Sequence, residues 1–239
     1  MGHRPTSISL RVWGPGAMFT QPHFRADPMT YPVPTPSALK GLLKQIHGKK
    51  EFDWEIETIE VCKPIRYFTQ KNKGVRDERD RVGGERMGSK HTSLRCFTSL
   101  CDVEYVFTAR LVVNPLRTTE SSAGYIQRAL RRMRKGQEWG SPHFGQRGFP
   151  AAWELLEEGA ARPAPLDINL DIGPMLFDLR PINPAKDQRL PLFFDAKVVG
   201  GVLHVPKALY DRERPYFQKA NDDGRARPRR SEPQSIRSR

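Results

Sequence analysis

The chain has few cysteines, no long apolar run and a shortage of acidic residues, and each shortage removes a class of function. Three cysteines in 239 residues, Cys62, Cys96 and Cys101, are an odd number with no CxxC spacing. No histidine pair sits at zinc-ligand spacing from them, so neither a disulfide framework nor a zinc site is expected; no metal and no cofactor are expected at all. They read as buried thiols in a reducing cytoplasm, and not as nucleophiles, because all three fall in strand-like apolar stretches rather than at a basic turn. The N-terminal segment MGHRPTSISL lacks the apolar region of a signal peptide, and no stretch has the length or hydrophobicity of a membrane span. A cytoplasmic protein with no membrane partner is the expectation. There is also no phosphate loop, no Ser/His/Asp order of distinctive spacing and no pair of carboxylates in a catalytic context.

What is present is positive charge. Forty Lys and Arg stand against 27 Asp and Glu, a formal net charge of +13, which a compact chain tolerates best beside a polyanion. Nucleic acid is the natural partner. Hydrophobic residues make up 37% and charged residues 28%, polar for a globular protein yet enough to fold around one main core.

The order of elements follows from periodicity. Ser7 to Gly14 alternates, with Ile8, Leu10 and Val12 on one face, as in a half-buried strand. A proline-rich approach, Tyr31 to Ser37, holds the chain extended into a helix from Ser37, where Leu39, Leu42, Leu43 and Ile46 recur at helical spacing and Gly48 stops it. Strands are expected at Trp54 to Cys62 and Pro64 to Thr69. Residues 70–91 carry almost no large apolar side chain and half of them are charged, so they form an exposed loop or hairpin tip. Strands resume at Ser93 to Leu100 and Asp102 to Val113. A second helix, Ser121 to Lys135, buries Ile126, Ala129, Leu130 and Met133 and is otherwise rich in arginine. Short strands follow at Phe149 to Leu155, Ile168 to Leu179, Leu192 to Val198 and Val202 to Val205, and the Arg-rich run from Lys219 to Arg239 reads as disordered.

The first six elements, β, α, β, β, α, β, are in the order of the ferredoxin-like fold, which RNA-recognition modules share and which presents an open sheet face or a basic groove to single-stranded RNA. The expected class is therefore α+β: a ferredoxin-like domain over residues 1–160, a C-terminal antiparallel β-sheet extension over 161–210 and a basic, disordered tail over 211–239. Candidate RNA contacts are Arg66, Lys71, Lys73, Arg76, Arg79 and Arg81 for phosphates, Tyr67 and Phe68 for stacking, and Arg128 and Arg131 on the second helix, with Arg132, Arg134 and Lys135 beside them. For the aromatics core packing is the competing assignment; for the helix cations it is a protein neighbour or plain solvent.

Several segments together resemble the Cas5 family, in its d-type. They are Arg11-Val12-Trp13-Gly14, the run from Tyr31 through Leu43, Lys63-Pro64-Ile65-Arg66 and Asp102-Val103-Glu104-Tyr105. Ile126-Gln127-Arg128, Lys135-Gly136-Gln137, Pro142, Phe144-Gly145, Arg147 and Phe149 continue the series. The resemblance spans about residues 8–206, without the charged loop and the tail. It implies a RAMP-type (RRM-like) domain that binds the 5′ handle of CRISPR guide RNA in a type I-C Cascade, beside the large subunit and the backbone subunit, with 70–91 as a thumb on the handle. Members of this type also cut the precursor CRISPR RNA without a metal, with a Tyr, a Lys and a His. The matching positions here are His47, Ser121 and Ser122, so that set is not retained. The remaining candidates for proton transfer are His47, whose ordinary pKa suits either role, and Lys90-His91 at the root of the charged loop. His143 reads as a turn residue. Three functions stay open: a guide-RNA-binding subunit, the same subunit acting as endoribonuclease, and a general basic RNA-binding protein.

Overall fold

The computed structural model describes residues 7–24, 27–76, 91–157, 159–183 and 188–223. In chain order the elements are β1 (Ser7–Ala17), α1 (Pro36–His47), β2 (Phe52–Val61), β3 (Tyr67–Arg76), β4 (His91–Val113), α2 (Ser122–Met133), β5 (Ala152–Leu156), β6 (Leu170–Asn183), β7 (Gln188–Val199), β8 (Val202–His204) and α3 (Lys207–Asp223).

Among the described residues the strands form one sheet in the order β5-β1-β4-β2-β8-β7-β6, with β3 paired only to β4. Setting β3 aside as an outgrowth, β5-β1-β4-β2 is the 4-1-3-2 arrangement of a ferredoxin-like domain, its neighbours all antiparallel. The expected ferredoxin-like layout and its antiparallel extension are therefore both present. The extension joins by pairing Thr58, Ile59 and Glu60 of β2 with β8, which continues the sheet without a break.

Local chemistry places the first helix. Thr35 accepts from the Ala38 amide (3.2 Å) as N-cap and Pro36 supplies a preset φ, so α1 starts before Ser37. Leu39, Leu42, Leu43 and Ile46 are at most 1% exposed, and each contributes about 1.5–3 kcal/mol on burial. At the C-cap Gly48 turns to extended geometry, and glycine fits there because a Cβ would lie 2.5 Å from the Lys44 carbonyl oxygen. On β1, Ile8, Leu10 and Val12 enter the core while Ser9 and Arg11 face away.

Three sequence expectations need correction. The two strands expected at 93–100 and 102–113 are one strand, β4. Asp102, at φ 51°, lies in a left-handed kink within it, its carboxylate held by Lys63 Nζ at 2.7 Å. The 70–91 excursion is shorter than read: Gln70–Arg76 belongs to β3 and His91 opens β4, since unbroken register from Tyr67↔Leu100 to Arg76↔His91 satisfies these backbones without apolar side chains. The tail does not begin at 211 as a disordered segment, because α3 runs through Asp223; residues 224–239 lie outside the described residues. Periodicity missed α3 because its anchors are polar. Tyr210 Oη accepts from the Ile56 amide (2.9 Å), Glu213 binds Arg180 through both oxygens (2.7 Å each), and Arg214 reaches Glu55 (2.7 Å).

Candidate nucleic-acid interface

A ferredoxin-like sheet has two faces. Here the helices cover one, and the other, the face open in RNA-recognition modules, is neutralised and crossed. Arg11 Nε donates to Glu104 (2.7 Å), Lys63 lies near the same carboxylate, and Ser9 bonds Thr108 (3.0 Å). The 159–169 connection then passes over this side, Arg162 pairing with Glu60 and the Leu166 amide donating to the Val61 carbonyl at 2.8 Å. Its cations are paired and its surface is partly covered.

The helix side offers a different surface. Where α1 ends and α2 passes, a cleft of about 410 Å3 is lined by His47, Lys49, Arg128, Arg131, Arg132, Lys135, Gln137 and Trp139. Five cations and no carboxylate line it. Arg128 is held by Glu120 outside the lining (2.8 Å) and lies over the Tyr125 ring at 4.4 Å. Lys49, Arg131, Arg132 and Lys135 have no ion pair among the described residues, and Arg132 rests instead on the Trp139 ring, 4.7 Å from its centroid. Concentrated, unneutralised positive charge at a concave surface is an anion seat.

His47 forms the floor of the cleft. It is 2% exposed, stacked on Phe52 at 5.6 Å, and its carbonyl accepts from Trp54 Nε1 (2.9 Å). Burial, followed by repulsion from Arg132, Lys49 and Arg128, pushes its pKa down to about 4. Nδ1 accepts from Trp139 Nε1 at 3.4 Å, so the neutral ring carries its proton on Nε2, which is buried without a partner. At neutral pH His47 is therefore a hydrogen-bond donor, neither an imidazolium acid nor a base through Nε2. Sequence reading took the ordinary histidine pKa as suited to proton transfer; burial holds the ring of the free protein below that value. Ser121 and Ser122 start α2, Ser121 as N-cap without a side-chain cap bond. The arrangement can hold and polarise phosphate.

The other sequence candidates lie elsewhere. Arg66 and Lys71 are exposed at the root of the β3–β4 hairpin, where Tyr67 and Phe68 are each 50% exposed, settling those rings outside the core. As consecutive strand residues they point to opposite faces of the hairpin, so one nucleotide cannot use both. Lys73 and Arg76 continue β3, and His91 opens β4; Arg79, Arg81 and Lys90 lie outside the described residues. The hairpin root sits near Leu100 on β4 and the cleft near Val113, which pairs with Phe52. Thirteen strand residues separate them, on the order of 40 Å along β4. Hence Arg128 and Arg131 share a site with His47, and the hairpin set does not. His143 is held by Gln45 (3.3 Å) and the Ser141 carbonyl (3.1 Å), a turn role. The cysteines are free but only partly buried, less than the burial expected from their strand-like surroundings, and Cys62 has its pKa pushed up to about 11, mainly by burial. Among the described residues no group of three His, Cys, Asp or Glu is placed for a metal ion, and no helix is long and apolar enough to cross a membrane.

Sequence reading passed over Trp139, and noted Gln137 only within the family resemblance. The available signal was an aromatic isolated in the polar stretch 134–141, with no apolar neighbour at helical or strand spacing to bury it.

The sheet order and helix placement define a RAMP-type, ferredoxin-like protein with a cationic cleft on its helical side. Residues 7–206 match the family model described as CRISPR-associated protein (Cas_Cas5), in its Cas5d form. A Thermus thermophilus protein named CRISPR pre-crRNA endoribonuclease Cas5d is 34% identical over 229 residues, covering 85% of this chain and 93% of that protein. A Mannheimia succiniciproducens protein of the same name is 33% identical over 218 residues, covering 83% and 94%. A solved CRISPR-associated protein shares the fold with a TM-score of 0.61 at 21% identity, over 86% of this chain and 95% of that one. This chain belongs to the Cas5d family.

Proposed function

We propose that this chain binds CRISPR RNA, holding the 5′ handle of the guide as a subunit of a type I-C Cascade, with the large subunit and the backbone subunit as neighbours. The observation that carries the reading is the cleft with five cations and no carboxylate. In it the cleft cations take the place of the counterions condensed on the RNA phosphates. The β3–β4 hairpin, with Arg66, Tyr67 and Lys71, is a second contact on the order of 40 Å away along β4, which suits a ligand that runs along the protein. This is a cytoplasmic role, in keeping with the free thiols.

A second reading is favoured by the two relatives, both named pre-crRNA endoribonucleases. In it the same cleft stabilises the phosphorane, with Arg131, Arg132 and Lys135 supplying charge. Phosphate neutralising Arg132, Lys49 and Arg128 also relieves the repulsion that depresses the His47 pKa, so the ring becomes a better proton carrier in the complex than alone. Incubating the purified chain with its own repeat RNA in EDTA separates the two. A single cut leaving a 2′,3′-cyclic phosphate and abolished by His47→Ala supports cleavage; tight binding with intact RNA supports holding alone. Absence of any repeat binding contradicts both.

A further inference from the structure

We infer that Trp139 is a base-stacking platform, receiving one unpaired nucleobase of the bound RNA on the indole face opposite Arg132. This deepens the RNA-binding reading and rests on it. Trp139 is 61% exposed, the largest side chain among the exposed apolar residues described. Its exposure is confined in a useful way. Arg132 occupies one face at 4.7 Å, and the Nε1 edge points to His47 Nδ1 at 3.4 Å. A ring covered on both faces could not remain 61% exposed, so the second face is open.

The platform is also held in place before any ligand arrives. The backbone amides of Trp139 and Gly140 both donate to the Gln45 carbonyl (2.8 and 3.0 Å), fastening this loop to α1 independently of the indole. With the edge and one face engaged, little rotamer freedom is left to lose on stacking. Exposed tryptophans also anchor protein partners. Here the surrounding four unpaired cations favour a polyanion with π faces, which describes single-stranded RNA.

The experiment titrates the full chain with its CRISPR repeat RNA, following both RNA anisotropy and intrinsic tryptophan fluorescence at several salt concentrations. RNA is expected to quench the fluorescence. Trp139→Ala is expected to weaken binding about tenfold, within the ~5- to 150-fold span of one base stack, while leaving the salt slope unchanged because no phosphate contact is lost. Trp139→Phe is expected to recover most of the affinity while abolishing the quench. Wild-type affinity and an undiminished quench in Trp139→Ala overturn the inference while leaving the RNA-binding reading intact. So does normal RNA affinity in that variant joined to loss of a co-purifying protein subunit, which assigns the ring to a protein interface. If no variant, wild type included, binds repeat RNA, the underlying reading itself falls.

Discussion

Two regions of this molecule collect arginine and lysine, and they use them in opposite ways. Beneath α3, Lys40 Nζ, 7% exposed as a residue, lies between Asp53 (2.5 Å) and Asp178 (2.8 Å). Around it Glu55 takes Arg110 and Arg214 (2.7 Å each), and Glu213, 1% exposed, takes Arg180. In the cleft at the end of α1, Lys49, Arg131, Arg132 and Lys135 have no carboxylate partner among the described residues. The first set ties α1, β2, β4, β6 and α3 together, each cation paired with a carboxylate of the chain. The second is left for something that arrives. Charge on its own identifies neither role; the presence of the counter-charge does.

The contrast is broken most severely at Lys40. Burial pulls its pKa down, but Asp53 and Asp178 more than offset this and hold it raised, so the ammonium is the required species. Lys40→Ala leaves Asp178 without its cation and Asp53 with Lys44 alone (3.1 Å), and a loss of about 3–5 kcal/mol in urea unfolding is expected. Arg131→Ala, in the cleft, is expected to change the same measurement by less than about 0.5 kcal/mol.

A smaller effect links the cleft to pH. The folded pKa of His47, about 4, lies below the ordinary value of 6.5, so between the two the unfolded chain binds more protons and stability falls as pH falls. The contribution is complete above pH 6.5 and is lost progressively toward pH 4, at most about 3 kcal/mol. Urea midpoints across that range are expected to show this slope, and His47→Gln is expected to flatten it. Smaller again is Tyr210→Phe, which leaves the Ile56 amide without its acceptor. A loss of about 1–2 kcal/mol is expected, with RNA affinity unchanged.

How far the sequence disclosed this contrast differs by element. β1, α1, β2 and α2 were legible because each buries one periodic apolar face, as Leu39, Leu42, Leu43 and Ile46 do. The unbroken length of β4 was not, because Asp102 looks like a turn residue until its carboxylate is seen on Lys63. Nor was α3, since its hold on the sheet comes from Tyr210, Glu213 and Arg214, whose partners are 30 to 160 positions away and leave no local period. In the site, Arg128 and Arg131 were visible as an arginine-rich helix face. Trp139 and the burial of His47 were not, because both depend on α1 and the 134–141 stretch meeting in space.

The most direct test is the salt dependence of repeat-RNA binding. Four unpaired cleft cations predict that this site contributes a slope of about −3 to log K against log salt, and that Arg131→Ala with Lys135→Ala makes the total shallower by about 1.4 at unchanged stability. An unchanged slope in that double variant, with RNA still bound, would place the phosphates elsewhere and contradict the assignment of the cleft.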